Sequence, residues 1–127
     1  MTPAAKVVTL LKQNVDQLEE IQAKHIHAYM ISPQDQTKTE PIIVVQEAPG
    51  GRHSYGNGVP IFERRRLQIQ FYYPKNYTKD MEAIEHSVRA FLFTQKYICY
   101  SNGGHVITPN NQNITNTLKF NYQLEDI

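Results

Sequence analysis

The chain has 127 residues, a length that suits one domain and leaves no room for two. Its 13 Lys and Arg residues against 12 Asp and Glu give a net charge of +1, which argues against a dedicated nucleic-acid binder, since such proteins are clearly basic. The apolar residues fall in periodic segments, which excludes a disordered chain, and a single cysteine, Cys99, excludes an internal disulfide and with it a small disulfide-built secreted scaffold.

Thr2 can cap a helix and Pro3 can open one, and the period predicts it over residues 3–21, with Val7, Leu10, Leu11, Val15, Leu18 and Ile21 on one face. Residues 25–31 alternate and predict a strand, followed by a polar loop at 32–37. The β-branched run at 41–46 predicts a buried strand. Segment 49–60 holds four of the six glycines and two of the seven prolines, and is expected to form a long loop or an extended hairpin arm. Residues 62–73 are the clearest strand. Leu67, Ile69, Phe71 and Tyr73 face one way, and Arg66, Gln68, Gln70 and Tyr72 the other.

A second helix is predicted over 78–94, capped by Thr78, with Met81, Ile84, Val88, Phe91 and Leu92 on one stripe. A strand at 96–100, tight turns at 101–104 and 109–113, and a last strand marked by Leu118, Phe120, Tyr122 and Leu124 complete the chain. The order α-β-β-β-α-β-(β)-β predicts one α+β domain over 1–127. Its sheet is mainly antiparallel and packed on one face by two helices. No apolar run approaches the ~20 residues that span a bilayer, and the N-terminus lacks a signal-peptide layout, so folding in a reducing cytoplasm without membrane contact is expected.

The candidate chemistry is thin. His25 and His27, two apart on an expected strand, point the same way, and His105 would make a three-ligand metal set. No glutamate follows the pair at the spacing such a site wants, so two partly exposed histidines are the favoured reading and neither metal nor cofactor is expected. Arg64, Arg65 and Arg66, with Arg52 and His53 near in sequence, suggest a phosphate-contacting patch. Alternation keeps the three arginines off a single face, and pairing with acidic groups of this or a neighbouring subunit is favoured. The glycine-rich segment lacks the Gly-Lys-Ser/Thr ending of a phosphate loop. Arg52 and Tyr55 are side chains of the kind that anchor interfaces. The candidate subunit or partner interface is therefore Arg52, His53, Tyr55, Asn57, Arg64 and Arg66. Cys99 reads as an inert thiol in an apolar strand. With no paired carboxylates in an evident cleft and no nucleophile elbow, no enzyme activity is expected.

Four stretches carry a family resemblance. They are Val7-Val8-Thr9-Leu10-Leu11-Lys12 with His27-Ala28-Tyr29-Met30-Ile31-Ser32-Pro33-Gln34-Asp35; Ile42-Ile43-Val44-Val45-Gln46-Glu47-Ala48-Pro49-Gly50 leading to Tyr55-Gly56-Asn57; Leu67-Gln68-Ile69-Gln70-Phe71-Tyr72-Tyr73; and Gly104-His105 with Thr108-Pro109-Asn110, then Thr117-Leu118-Lys119-Phe120-Asn121-Tyr122. In this order they resemble the small tail components, or tail terminators, of siphophages that infect Gram-positive bacteria. The resemblance implies an α+β subunit that assembles with itself into a ring, expected to be hexameric, at the head-proximal end of the virion tail. Such a ring forms in the host cytoplasm, caps the tail tube protein, stops its polymerisation and offers a joining surface to the head–tail connector or stopper. DNA passes through its lumen without specific binding, and the family has no catalytic residues. The alternatives are a connector or stopper protein, and then a tail-tube subunit, which should carry more β-structure and fewer helices.

Overall fold

In a computed structural model the described residues are 2–56, 59–109 and 112–125, with side chains described for all of these except 49–64 and 123–125. Helix α1 (Pro3–Gln13) starts as the sequence dictates: Thr2 Oγ1 accepts the Ala5 N–H at 3.3 Å and Pro3 fills the first turn. It stops at Asn14 and does not run on to residue 21. The Asn14 side-chain amide donates to the Leu10 carbonyl at 2.8 Å and its backbone N–H to the Leu11 carbonyl at 3.2 Å, so a polar side chain competes with the helix ladder and closes it. A 3₁₀ turn (Val15–Gln17) follows, and Leu18 and Ile21 still reach the core. The apolar period outlasts the helix that it suggested.

A second 3₁₀ turn (Ala23–His25) leads into β1 (Ile26–Ala28), much shorter than the expected strand. Tyr29 ends it by taking a left-handed φ of 69°, a conformation costly for a bulky residue. Strands β2 (Ile42–Gly56) and β3 (Val59–Tyr73) form a long antiparallel hairpin. The glycine-rich segment is therefore paired strand backbone up to Gly56 opposite Val59, which is the hairpin and not the long loop of the two forms expected. The register shifts between Ala48 and Gly51, leaving Pro49 and Gly50 outside the ladder at a bulge that tolerates them.

Helix α2 (Met81–Thr94) is capped by Asp80, whose Oδ1 accepts the Ala83 N–H at 3.1 Å, three residues later than the predicted start. Strands β4 (Ile98–Asn102), β5 (Val106–Ile107) and β6 (Ile114–Glu125) complete a six-stranded sheet of order β1-β2-β3-β6-β4, with β5 also paired to β6. β1 runs parallel to β2; every other described pairing is antiparallel.

The fold is α+β, as expected. Ile43, Val45, Leu67, Ile69, Phe71, Tyr73, Leu118 and Phe120 form the inner face of the sheet, and α1 and α2 close over it with Val7, Leu11, Ile84, Val88 and Leu92. The opposite face is polar along β3 and β6. There Tyr72 donates to Gln70 Oε1 at 2.9 Å, and Gln70 to Thr117 Oγ1 at 3.5 Å. At the β1–β2 end of that face Val44 is buried, and His27 of β1 meets Asp35 of the β1–β2 crossover, residues 29–41.

Candidate functional site

Three places concentrate chemistry. The first joins the crossover to the β1 end. His25 closes a 3₁₀ turn, so its ring and that of His27 do not share a strand as expected, yet both reach Asp35. His25 Nδ1 meets Asp35 Oδ1 at 2.8 Å, His25 Nε2 meets Glu40 Oε2 at 2.8 Å, and His27 Nε2 meets Asp35 Oδ2 at 2.5 Å. Gln22 Nε2 donates to the other oxygen of Glu40 at 2.6 Å. The side chains of His25 and Asp35 are only 7% and 4% exposed, which makes these contacts strong. They floor an open polar pocket of about 570 Å³ whose rim includes Lys24, Ser32 and Thr37.

Burial pushes the Asp35 carboxyl up, but hydrogen bonds from His27 and His25, the His25 charge and the Thr37 N–H outweigh it and hold it below its usual 3.8. A lowered folded value stabilises the fold above the unfolded value, and that contribution is lost as pH falls through the folded one. Asp35→Asn is accordingly expected to unfold more easily than the native chain at neutral pH and to converge with it in acid. Denaturant melts at neutral pH and near pH 3 check this; a gap that persists undiminished in acid would contradict it.

The second place lies under α2. Glu85, 3% exposed, sits in the apolar stripe of the helix. Its Oε2 accepts from Tyr73 Oη at 2.7 Å and from His105 Nε2 at 2.8 Å, and its Oε1 accepts from Asn116 Nδ2 at 2.8 Å. Asn116 also reaches Asn102 Oδ1 at 3.0 Å. Burial first, then the Glu85 hydrogen bond and charge, push the Tyr73 hydroxyl far up, so it stays a donor. Gly104, at φ 85°, turns the chain out of β4 and sets His105 against Glu85. Glu85, Asn102, Gly104 and His105 border a wide cleft of about 740 Å³ that also takes in His86 and Arg89.

His105 is thus tied to Glu85 while His25 and His27 are tied to Asp35, so the three histidines do not form the single ligand set considered from sequence. Among the described residues no group of three His, Cys, Asp or Glu is arranged to hold a metal ion.

The third place is the pair of sheet edges. One edge is β1, followed directly by Tyr29, Met30 and Ile31, which are 46%, 72% and 37% exposed. The other is the β4–β5 side, carrying exposed Ile98, Tyr100, Val106 and Ile107, with Phe93 at the end of α2 also open. Of the interface residues expected from sequence, Arg66 joins this second edge: its guanidinium lies 5.2 Å from the centre of the Tyr100 ring. Arg52 is the register partner of Arg64, and His53 that of Glu63, within the hairpin. Tyr55 lies opposite Pro60. The side chains of Arg52, His53, Tyr55 and Arg64, and the whole of Asn57, lie outside the described residues.

Sequence reasoning missed Asp35, Glu40, Glu85 and Asn116. For Glu85 a signal existed, a carboxylate between Ile84 and Val88 on an apolar stripe. No protein-family model matches the chain, and a search of the curated proteins finds no match either.

Proposed function

We propose that the chain is a structural virion protein, a tail-terminator subunit that closes into a ring on the head-proximal end of a siphophage tail tube. The observation that carries this reading is the pair of unlike sheet edges. A closed ring is a heterologous assembly, in which each subunit offers one surface to the neighbour on its left and a different one to the neighbour on its right. The β1 edge with its Tyr29–Met30–Ile31 corner and the β4–β5 edge with Ile98 and Tyr100 are two such surfaces on opposite ends of one sheet. Each lies at one end of the strand order and carries an apolar rim to bury against a neighbour. The ordered resemblance over four stretches supports the same reading. The ring would meet tube protein on one side and the connector or stopper on the other, with DNA passing through the lumen and no reaction catalysed.

Two helices over one sheet favour a terminator over a tube subunit. The connector or stopper reading is separated by experiment. Inactivating the gene and imaging the lysate by electron microscopy is expected to show full heads beside unattached tubes of excessive or irregular length. Unattached tails of normal, uniform length would transfer the protein to the connector side of the joint. Normal infectious particles would overturn both readings.

A further inference from the structure

The contacts around His25 call for one more hydrogen than two neutral imidazoles supply. Three contacts join ring nitrogens to carboxylate oxygens: His25 to Asp35, His25 to Glu40, and His27 to Asp35. Ionised carboxylates only accept, so each contact needs a hydrogen. Two neutral imidazoles bring one N–H each. The Asp35 side chain is 4% exposed and that of Glu40 34%, so a neutral His25 places its one hydrogen on Nδ1 toward the more buried Asp35. The contact of His25 Nε2 with Glu40 Oε2 is then the one that needs a third, as the second N–H of an imidazolium or the O–H of a neutral carboxyl. The Glu85 network differs in this respect, because a neutral His105 with hydrogen on Nε2 satisfies it completely.

We propose that the crossover between β1 and β2 is a proton-dependent latch: one proton shared by His25 and Glu40 clasps residues 37–40 to the start of β1, and loss of that proton opens this end. Without it, the bare Nε2 lone pair faces a carboxylate oxygen in a setting where His25 is 7% exposed and water cannot fully relieve the repulsion. Gln22 keeps hold of the other oxygen of Glu40, which favours the ionised acceptor.

The charged surroundings do not replace the missing hydrogen. The crossover supplies Asp35, already shared by both histidines, and Lys38, which rims a pocket with Glu40 on its far side. The turn before β1 supplies Lys24, on the pocket rim. From the β3–α2 connection come Tyr77 and Lys79, and Lys79 is held by Glu20 at 2.7 Å. β2 contributes the apolar Val44, 4% exposed. The latch therefore opens toward alkaline pH, the direction opposite to the acid loss expected from Asp35 alone.

The test follows individual amides by hydrogen exchange in the intact chain, at intervals between about pH 5 and 9. Rates are corrected for the intrinsic rise of exchange with pH. The Thr39 and Glu40 amides, which donate to Thr37 Oγ1 in the closed form, report the latch. Their opening constant is expected to rise by about tenfold per pH unit over the range in which the closed form still holds the proton and the open form has released it, the slope for one proton released on opening, and to level off once the closed form loses it too. The Phe71 amide in the central strand should show no such rise.

Glu40→Gln supplies the missing hydrogen chemically, because a carboxamide can turn its NH₂ toward the bare nitrogen of a neutral His25. In that variant the same two amides should stay protected with a flat profile. A flat profile in the native chain would overturn the latch. So would a native-like slope in Glu40→Gln, or a rise at Phe71 that parallels Glu40, which would report unfolding of the whole chain.

Discussion

Phe71→Ala is expected to remove about 3–5 kcal/mol of stability, a large share of what a domain of this size possesses. Phe71 is fully buried on the central strand, with β2 hydrogen-bonded on one side and β6 on the other. Its ring stacks at 6.3 Å and 10° on that of Tyr73, which is itself fully buried. The flanking strands fix the backbone, so the site cannot collapse into the space left by a ring, and the cavity cost adds to the lost transfer energy. Urea unfolding followed by circular dichroism measures the loss. Phe93→Ala is the internal control. Phe93 is 66% exposed on the same chemistry of side chain, and its truncation should stay within about 0.5 kcal/mol. Equal losses for the two variants would mean that the core is misplaced.

Glu85→Ala is expected to cost about 2–4 kcal/mol, for a different reason. It leaves three donors without their acceptor: the buried Tyr73 hydroxyl, the Asn116 amide at 1% exposure, and His105. The cleft beside His105 can admit water to part of the gap, which limits the loss. Glu85→Gln keeps the shape and one carbonyl oxygen, and at the new NH₂ the Tyr73 hydroxyl can rotate and the His105 ring can change tautomer, so that each accepts one of its hydrogens. It should therefore cost roughly half as much. Thermal melts of the two variants give the order. A silent Glu85→Ala would show that the network contributes nothing to the fold. A Gln variant as unstable as the Ala variant would show that the negative charge itself, and not the set of acceptors, is what the three donors require.

These two sites also mark how far the sequence could be read. The alternation of Leu67, Ile69, Phe71 and Tyr73 announces the inner face of β3 because strand side chains repeat every two residues, and no tertiary knowledge is needed to see it. Thr2-Pro3 likewise announces the start of α1. The end of that helix was not legible in the same way. Asn14 closes it through a side-chain bond to Leu10, while the apolar period runs on through Leu18 and Ile21 because those residues bury themselves from an irregular path. Segment 49–60 leaves a long loop and an extended hairpin arm both open by composition, and it is pairing with the partner strand that decides for the hairpin, with a bulge absorbing Pro49 and Gly50.

The polar clusters were the least legible. His25 and Asp35, or Glu85 and Asn116, meet only through the fold, and sequence spacing says nothing of contacts made across a crossover or from a helix to a strand. Glu85 is the exception, because a carboxylate set in an apolar stripe already asks for buried partners.

The strand order carries a consequence for the sequence of events in folding. β2 and β3 are neighbours along the chain, so their pairing closes a short loop at small entropic cost. β6 reaches β3 only across an intervening helix and two small strands, and β1 reaches β2 only in parallel, through the crossover. Long-range pairings of that kind form slowly. The sheet is thus expected to form from its middle outward, and α1, although it precedes every strand in order of synthesis, then buries its Val7 and Leu11 only after the hairpin has supplied a surface for them.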